Sequence, residues 1–235
     1  MNRIRLWFEY LFLSGVVGLL PASLSAQETA DKDISLTYTV PSNLVQGRIY
    51  SPNYFPIKGS PFLTESWEAH DFNLQNNEYH NMPVWYDIYA DDLILLYQQG
   101  QNLLFIRLNR KHVKYFKFSG REFVNITYSR FRDTGLPDGY YEILREGQIG
   151  LLAKRKLLVE DNTQDWTSSF FREDRWYLWK DGKMRYLHNK KSLLDAVDEQ
   201  YRKPVIRFAK KSGIRLKHAG DREWEQMVDF LNTLN

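Results

Sequence analysis

The chain has 235 residues, a formal net charge of +3, 15% aromatic side chains and no cysteine. The absence of thiols excludes disulfide staples, thiolate metal sites and thiol catalysis. Stability must therefore come from a packed core, and a chain of this size buries roughly 70% of its unfolded surface.

The first 26 residues have the order of a signal peptide. Arg3 and Arg5 form a positive start, residues 10–20 an uncharged apolar run, Pro21 a helix break and residues 22–26 a small-residue stretch. A bilayer-spanning helix needs about 20 apolar residues, so the run is too short to anchor the chain. Cleavage is expected after Ala26, leaving residues 27–235 as one exported α+β domain without a transmembrane anchor. With no cysteine to acylate, a lipoprotein is excluded.

Residues 34–40, ISLTYTV, read as a short strand. The stretch YSPNYFPIKGSPFL, residues 50–63, carries Pro52, Pro56 and Pro61, which fix φ and remove three backbone donors. It cannot join a central ladder and is expected to lie as a strap over a sheet end, with Tyr50, Tyr54, Phe55, Ile57, Phe62 and Leu63 covered. From residue 84 the pattern turns to strands. Val84, Tyr86 and Ile88 alternate with Trp85, Asp87 and Tyr89 at the period of two of a pleated strand. Residues 93–97, 103–108, 113–118 and 123–128 continue the series, separated by turns at 98–101 and 119–121. The breaker-rich RDTGLPDG, residues 132–139, is the one plausible subdomain boundary. Beyond it, 140–145 turns into a strand over 149–159, and 175–179 turns at Asp181-Gly182 into 184–188, a hairpin signal because such turns need positive φ.

At Ser192 the pattern changes again. Ser192 and Asp195 resemble a capping box opening a short helix to about Tyr201. Pro204 suits the first turn of a second helix, which Ser212-Gly213 ends. Asp221 is expected to cap a third, whose Trp224, Met227, Val228 and Leu231 form a buried stripe. The helical tail thus covers 192–235. Mainly antiparallel sheet (a curved sheet, a sandwich or a partial barrel) followed by two to three C-terminal helices is an α+β fold.

Charge is unevenly placed. Residues 27–106 carry 3 basic against 10 acidic residues, whereas 180–218 carry 12 against 4. The basic segment either packs against the acidic part, so that the fields cancel, or meets an anionic envelope surface. Nucleic acid is not an expected partner of an exported chain. Phosphate-cradling glycine loops, G-x-S-x-G elbows and H-E-x-x-H helices are absent from the sequence, and the five histidines, at 70, 80, 112, 188 and 218, lie too far apart for a local zinc site. No catalytic residue, metal or cofactor is assigned. Asp87 and Asp91-Asp92 are carboxylates of the kind glycoside hydrolysis uses. The simpler expectation is that Asp91-Asp92 forms a turn and Asp87 faces water. Tyr54, Trp85 and Tyr89, beside Asp87, are the candidate binding residues, because exposed rings near polar groups grip sugar faces.

The segments GRIYSPNYFPIKGSPFL followed by a tryptophan, VWYDIYADDLILLY, GYYEILREGQIGLLAKRK and the helical tail resemble an uncharacterised family of exported proteins from Gram-negative bacteria. The resemblance implies export but no known activity. Taken together, these readings lead to the expectation of a non-enzymatic periplasmic or surface module with a protein or glycan partner. Two alternatives are a carbohydrate-binding or carbohydrate-processing protein, and envelope association through 180–218.

Overall fold

The computed structural model describes Leu44 and residues 47–65 and 67–234. The signal segment and the strand expected over 34–40 lie outside the described residues. The first meander comprises β1 (Arg48–Ile49), β2 (Glu68–Leu74), β3 (Asn77–Asp87), β4 (Asp92–Gln99) and β5 (Asn102–Arg107). The second comprises β6 (Val113–Phe118), β7 (Arg121–Asn125), β8 (Tyr140–Arg145) and β9 (Gly150–Lys154). A separate hairpin follows, β10 (Leu157–Asn162) and β11 (Thr167–Arg172). The chain then returns with β12 (Arg175–Lys180) and β13 (Lys183–Leu187) before α1 (Lys190–Ala196), α2 (Glu199–Lys211) and α3 (Asp221–Asn232).

Eleven strands form one open antiparallel sheet in the order β1-β5-β4-β3-β2-β6-β7-β8-β9-β12-β13, not closed into a barrel. Its logic is local. Strands β2 to β5 run outward one way, β6 onward run the other, and β2–β6 pairing joins the halves. The sheet continues through residues 132–139 without a break, since β7 pairs directly with β8. Turn chemistry sets the register where both central residues are left-handed. Asp181 and Gly182 take φ of 51° and 72°, as a two-residue hairpin with native twist requires.

The core falls into clusters that follow the sheet. One cluster spans the junction of the halves and collects Phe72, Val84, Tyr86 and Leu93 of the first with Phe116 and Phe123 of the second. In the second half, β9 is apolar on both faces. Leu151 packs under the helices with Leu178, Trp224 and Met227, while Leu152 packs on the opposite side with Phe131 and Tyr141. A strand covered on both faces reads as a continuous apolar run, as GLLA does. The stripe Trp224, Met227, Val228 and Leu231 is buried as its spacing requires.

Several local expectations are corrected. The run 149–159 is two strands in different sheets. It breaks at Arg155, whose guanidinium is drawn inward by Glu142, Asp174 and Asp221 (2.5, 2.7 and 2.7 Å). The strand from 123 stops at Asn125, which caps a 3-10 turn over Ile126–Tyr128 through its side chain. Helix α1 starts earlier than expected: Asn189 is its N-cap and Ser192 its third residue, each bonding the other's backbone. The helix ends at Ala196, and α2 begins at Glu199, so Pro204 lies inside α2 rather than in its first turn. Gln200 thereby loses the amide donor that any other residue at 204 would supply. Asp221 is the first residue of α3 and Gly220 its N-cap, because the Asp221 carboxylate is engaged by Arg155 and Trp176. Strands β2 and β11 were not foreseen, since EAHDFNL and TSSFFR lack a clean alternation. No helix among the described residues is long and apolar enough to cross a membrane.

Candidate functional site

The strap does lie across the β3–β4 end of the sheet. Its backbone enters beside β5, where the Tyr50 amide donates to Phe105 O (2.7 Å). It leaves beside β3, where the Leu63 amide donates to Tyr86 O (2.9 Å) and the Ile88 amide to Pro61 O (2.9 Å). Between these points Lys58 forms a parallel bridge with Ser169, tying the β10–β11 hairpin to the strap. The prolines leave such isolated bonds possible and a continuous ladder impossible.

Asp87 is the centre of this arrangement, and it does not face water. It is fully buried. Its Oδ2 accepts the hydroxyls of Tyr50 (2.7 Å) and Tyr54 (2.6 Å), and its Oδ1 the amides of Tyr89 (3.0 Å) and Ala90 (2.9 Å). The two amides form the local turn that aspartate favours; the two phenols arrive from 37 and 33 residues away. Burial, then the bond to the Asp87 carboxylate, pushes both phenols well above the ordinary tyrosine range. Tyr54 also meets Tyr89 and Phe170 edge-on, with centroids at 5.4 and 5.7 Å. The structure thus brings Tyr54, Asp87 and Tyr89 together. Trp85 lies alongside, in a column of rings. Phe62 covers one of its faces at 4.2 Å and Trp67 the other at 3.8 Å, and Trp67 in turn stacks on Phe105. With both faces occupied, Trp85 offers a ligand its edge.

Among the described residues the most exposed rings lie outside the candidate set. Phe55, a strap residue expected to be covered, is instead 91% exposed, and Trp166 at the tip of the β10–β11 hairpin 89%; Tyr89 and Phe171 are partly exposed. Trp166 stands next to the acid-rich turn DNTQD. Its backbone takes a left-handed φ of 54°.

The remaining carboxylates of this end are also engaged. Asp91 accepts the Tyr86 hydroxyl (2.6 Å) and pairs with Arg110 (3.0 Å) and Lys154 (2.7 Å). Burial lowers Lys154, and Asp91 offsets only part of that. Asp92 pairs with Arg107 at 3.3 Å. Burial raises its carboxyl even though Arg107 and Arg110 oppose the shift. Chemically, this is a region of fixed hydrogen bonds suited to holding a surface in shape. Each of the three carboxylates is held by hydrogen bonds or ion pairs from neighbouring side chains.

Basic residues occupy two places. On α2, Arg202, Lys203, Arg207, Lys210 and Lys211 are all exposed, and none makes an ion pair among the described residues. The second place is a cleft beside β1 and β5, taken up below. Among the described residues no group of three or more metal-ligating side chains converges.

The fold and site define an α+β protein with a large open sheet, a strap anchored on a buried aspartate and exposed rings at the strap and hairpin tips. Comparison of the chain with protein-family models, curated proteins and solved structures returns no match.

Proposed function

We propose that the chain is an exported, non-catalytic binding module that recognises a saccharide through the rings of its strap and hairpin. The observation that carries the reading is the exposure of Phe55 and Trp166, at 91 and 89%, on a strap and a hairpin bridged to each other and fixed by Asp87. Large rings held in water on an ordered support present flat apolar faces to which sugar C–H groups bind. Non-catalytic action is supported by Asp87, whose two oxygens already accept four hydrogen bonds, about the full capacity of a carboxylate. Export is supported by the order of the N-terminal segments, and kinship with exported Gram-negative proteins by the resemblance described above. An array of bacterial envelope saccharides tests the reading. Wild type should bind, and Phe55→Ala and Trp166→Ala should lose binding while melting at the wild-type temperature, since both rings lie in solvent. Absence of binding, or binding that survives both substitutions, refutes it. So does saccharide turnover that Asp87→Asn abolishes in a folded variant.

A second reading, contact with an anionic envelope surface, is favoured by α2, whose five exposed cations lack ion-pair partners among the described residues. Attraction of this kind is screened by salt. Co-sedimentation with anionic liposomes should therefore fall with added salt and with Lys210→Glu and Lys211→Glu. Salt-independent sedimentation contradicts it.

A further inference from the structure

The cleft beside the sheet edge breaks a rule of strand pairing. Gly47 brings the chain so close to β5 that a Cβ there would stand 2.4 Å from Arg107 O and 2.5 Å from Ile106 Cγ2. The next residue, Arg48, is then the direct cross-strand partner of Arg107. Residues opposite each other in an antiparallel pair project to the same face, and like charges so placed repel. Arg110 and Lys111 line the same cleft, which encloses about 400 Å³. Such a volume is within the range of small-molecule sites.

Among the described residues the cleft is lined by four cations, Arg48, Arg107, Arg110 and Lys111, against one carboxylate, Asp92, while Asp91 behind it is shared between Arg110 and Lys154. Among the described residues neither Arg48 nor the Lys111 ammonium makes an ion pair. Arg107 and Arg110 are each held by one nitrogen, on Asp92 (3.3 Å) and Asp91 (3.0 Å). A guanidinium has five N–H donors, so most of theirs remain available, with their orientation already set.

The loop carrying Arg110 and Lys111 is fixed as well. The buried Asn125 carboxamide donates to Arg110 O (2.8 Å) and Val113 O (3.0 Å), the Tyr128 hydroxyl donates to Lys111 O, and the His112 amide closes a turn on Asn109 O (2.8 Å). Four cations on two supported segments, two of them preset by carboxylates, surround the one carboxylate, Asp92, that also lines the cleft. Local rules of pairing are broken most often where function requires it.

We infer that this cleft binds a phosphate group, bridged between Arg48 and Arg107 and completed by Arg110 and Lys111. Planar guanidinium forks match the oxygens of phosphate in pairs, and charge-assisted bonds of this kind are the strong ones. The inference is independent of the saccharide reading, because Phe55 and Trp166 take no part in it. The phosphate can be a free monoanion or dianion or the diester of a lipid headgroup.

The test is calorimetric titration of the full chain at low ionic strength with two soluble probes, inorganic phosphate and glycerophosphoglycerol. Saturable binding of either supports the inference. Preference for inorganic phosphate identifies a free phosphate or monoester, and preference for glycerophosphoglycerol a headgroup diester. Arg48→Gln and Lys111→Gln, at exposed positions, should each weaken binding roughly tenfold, the size of losing one charge-assisted hydrogen bond. Lys203→Gln on α2 removes the same charge elsewhere and should leave it unchanged. Binding of neither probe overturns the inference. Equal weakening by Lys203→Gln also does, because it would mean that net charge, not this cleft, attracts the anion.

Discussion

Arg155→Met perturbs the joint between the sheet and the C-terminal helices. The Arg155 side chain is 1% exposed and reaches Glu142 on β8, Asp174 before β12 and Asp221 at the start of α3. Burial disfavours its charge, but bonds to Asp221 and Glu142 outweigh that and raise its pKa above the ordinary arginine range. Removing one member of a buried ionic cluster costs about 3–5 kcal/mol. Two of the carboxylates left behind keep another arginine, Glu142 with Arg121 (2.5 Å) and Asp174 with Arg172 (2.9 Å). Asp221 keeps the Trp176 indole (2.7 Å) and is partly open to water. Methionine fills most of the stem volume. The loss should therefore lie near the lower end, about 3 kcal/mol, or roughly 6–12 °C in Tm at about 2–4 °C per kcal/mol for a chain of this size. Urea unfolding followed by tryptophan fluorescence measures it directly. A loss below about 1 kcal/mol, or a gain, would refute the reasoning, because the cost of desolvating the cluster would then equal or exceed its attraction.

Three further outcomes follow from the same geometry. For Asp221, burial raises the carboxyl, but the bonds from Arg155 and Trp176 prevail and hold its pKa below the usual value. Its stabilisation is thus complete above about pH 4 and is lost as pH falls through the depressed folded value, so Asp221→Asn should flatten the acid limb of Tm against pH. An unchanged acid limb contradicts this. Tyr54→Phe removes one of four donors to the buried Asp87 and should cost about 1–3 kcal/mol in chemical unfolding, with Tyr50→Phe similar; wild-type stability in both would show that Asp87 does not anchor the strap. Pro204→Ala restores an amide donor inside α2 and should raise Tm by several degrees; a lower Tm would show that the ring's packing outweighs the missing bond.

Much of the fold was legible because period and turn chemistry act locally. Alternation along 84–87, Asp181-Gly182 between apolar runs and the spacing of Trp224, Met227, Val228 and Leu231 each report a constraint set within a few residues. The errors arise where distant partners decide. Arg155 interrupts an apolar run because Asp221, 66 residues later, draws it inward. Asp87 looks solvated by alternation, yet phenols from the strap bury it. Of the candidate binding residues, Tyr54, Asp87 and Tyr89 do meet, while Trp85 stacks between neighbours that the sequence could not place. Phe55 and Trp166 were readable only in part: a proline follows Phe55 and an acid-rich turn precedes Trp166, both marks of loop tips. The Arg48–Arg107 opposition needs strand register, which links residues 59 apart.

The saccharide reading rests on where a ligand would sit. Hydroxyl-radical footprinting of the intact chain, with and without the saccharide that binds best on the array, reads this at single side chains. The account predicts protection of Phe55, Tyr89 and Trp166, with labelling at α2 unchanged. Protection elsewhere while these three rings label at their free rates would contradict it.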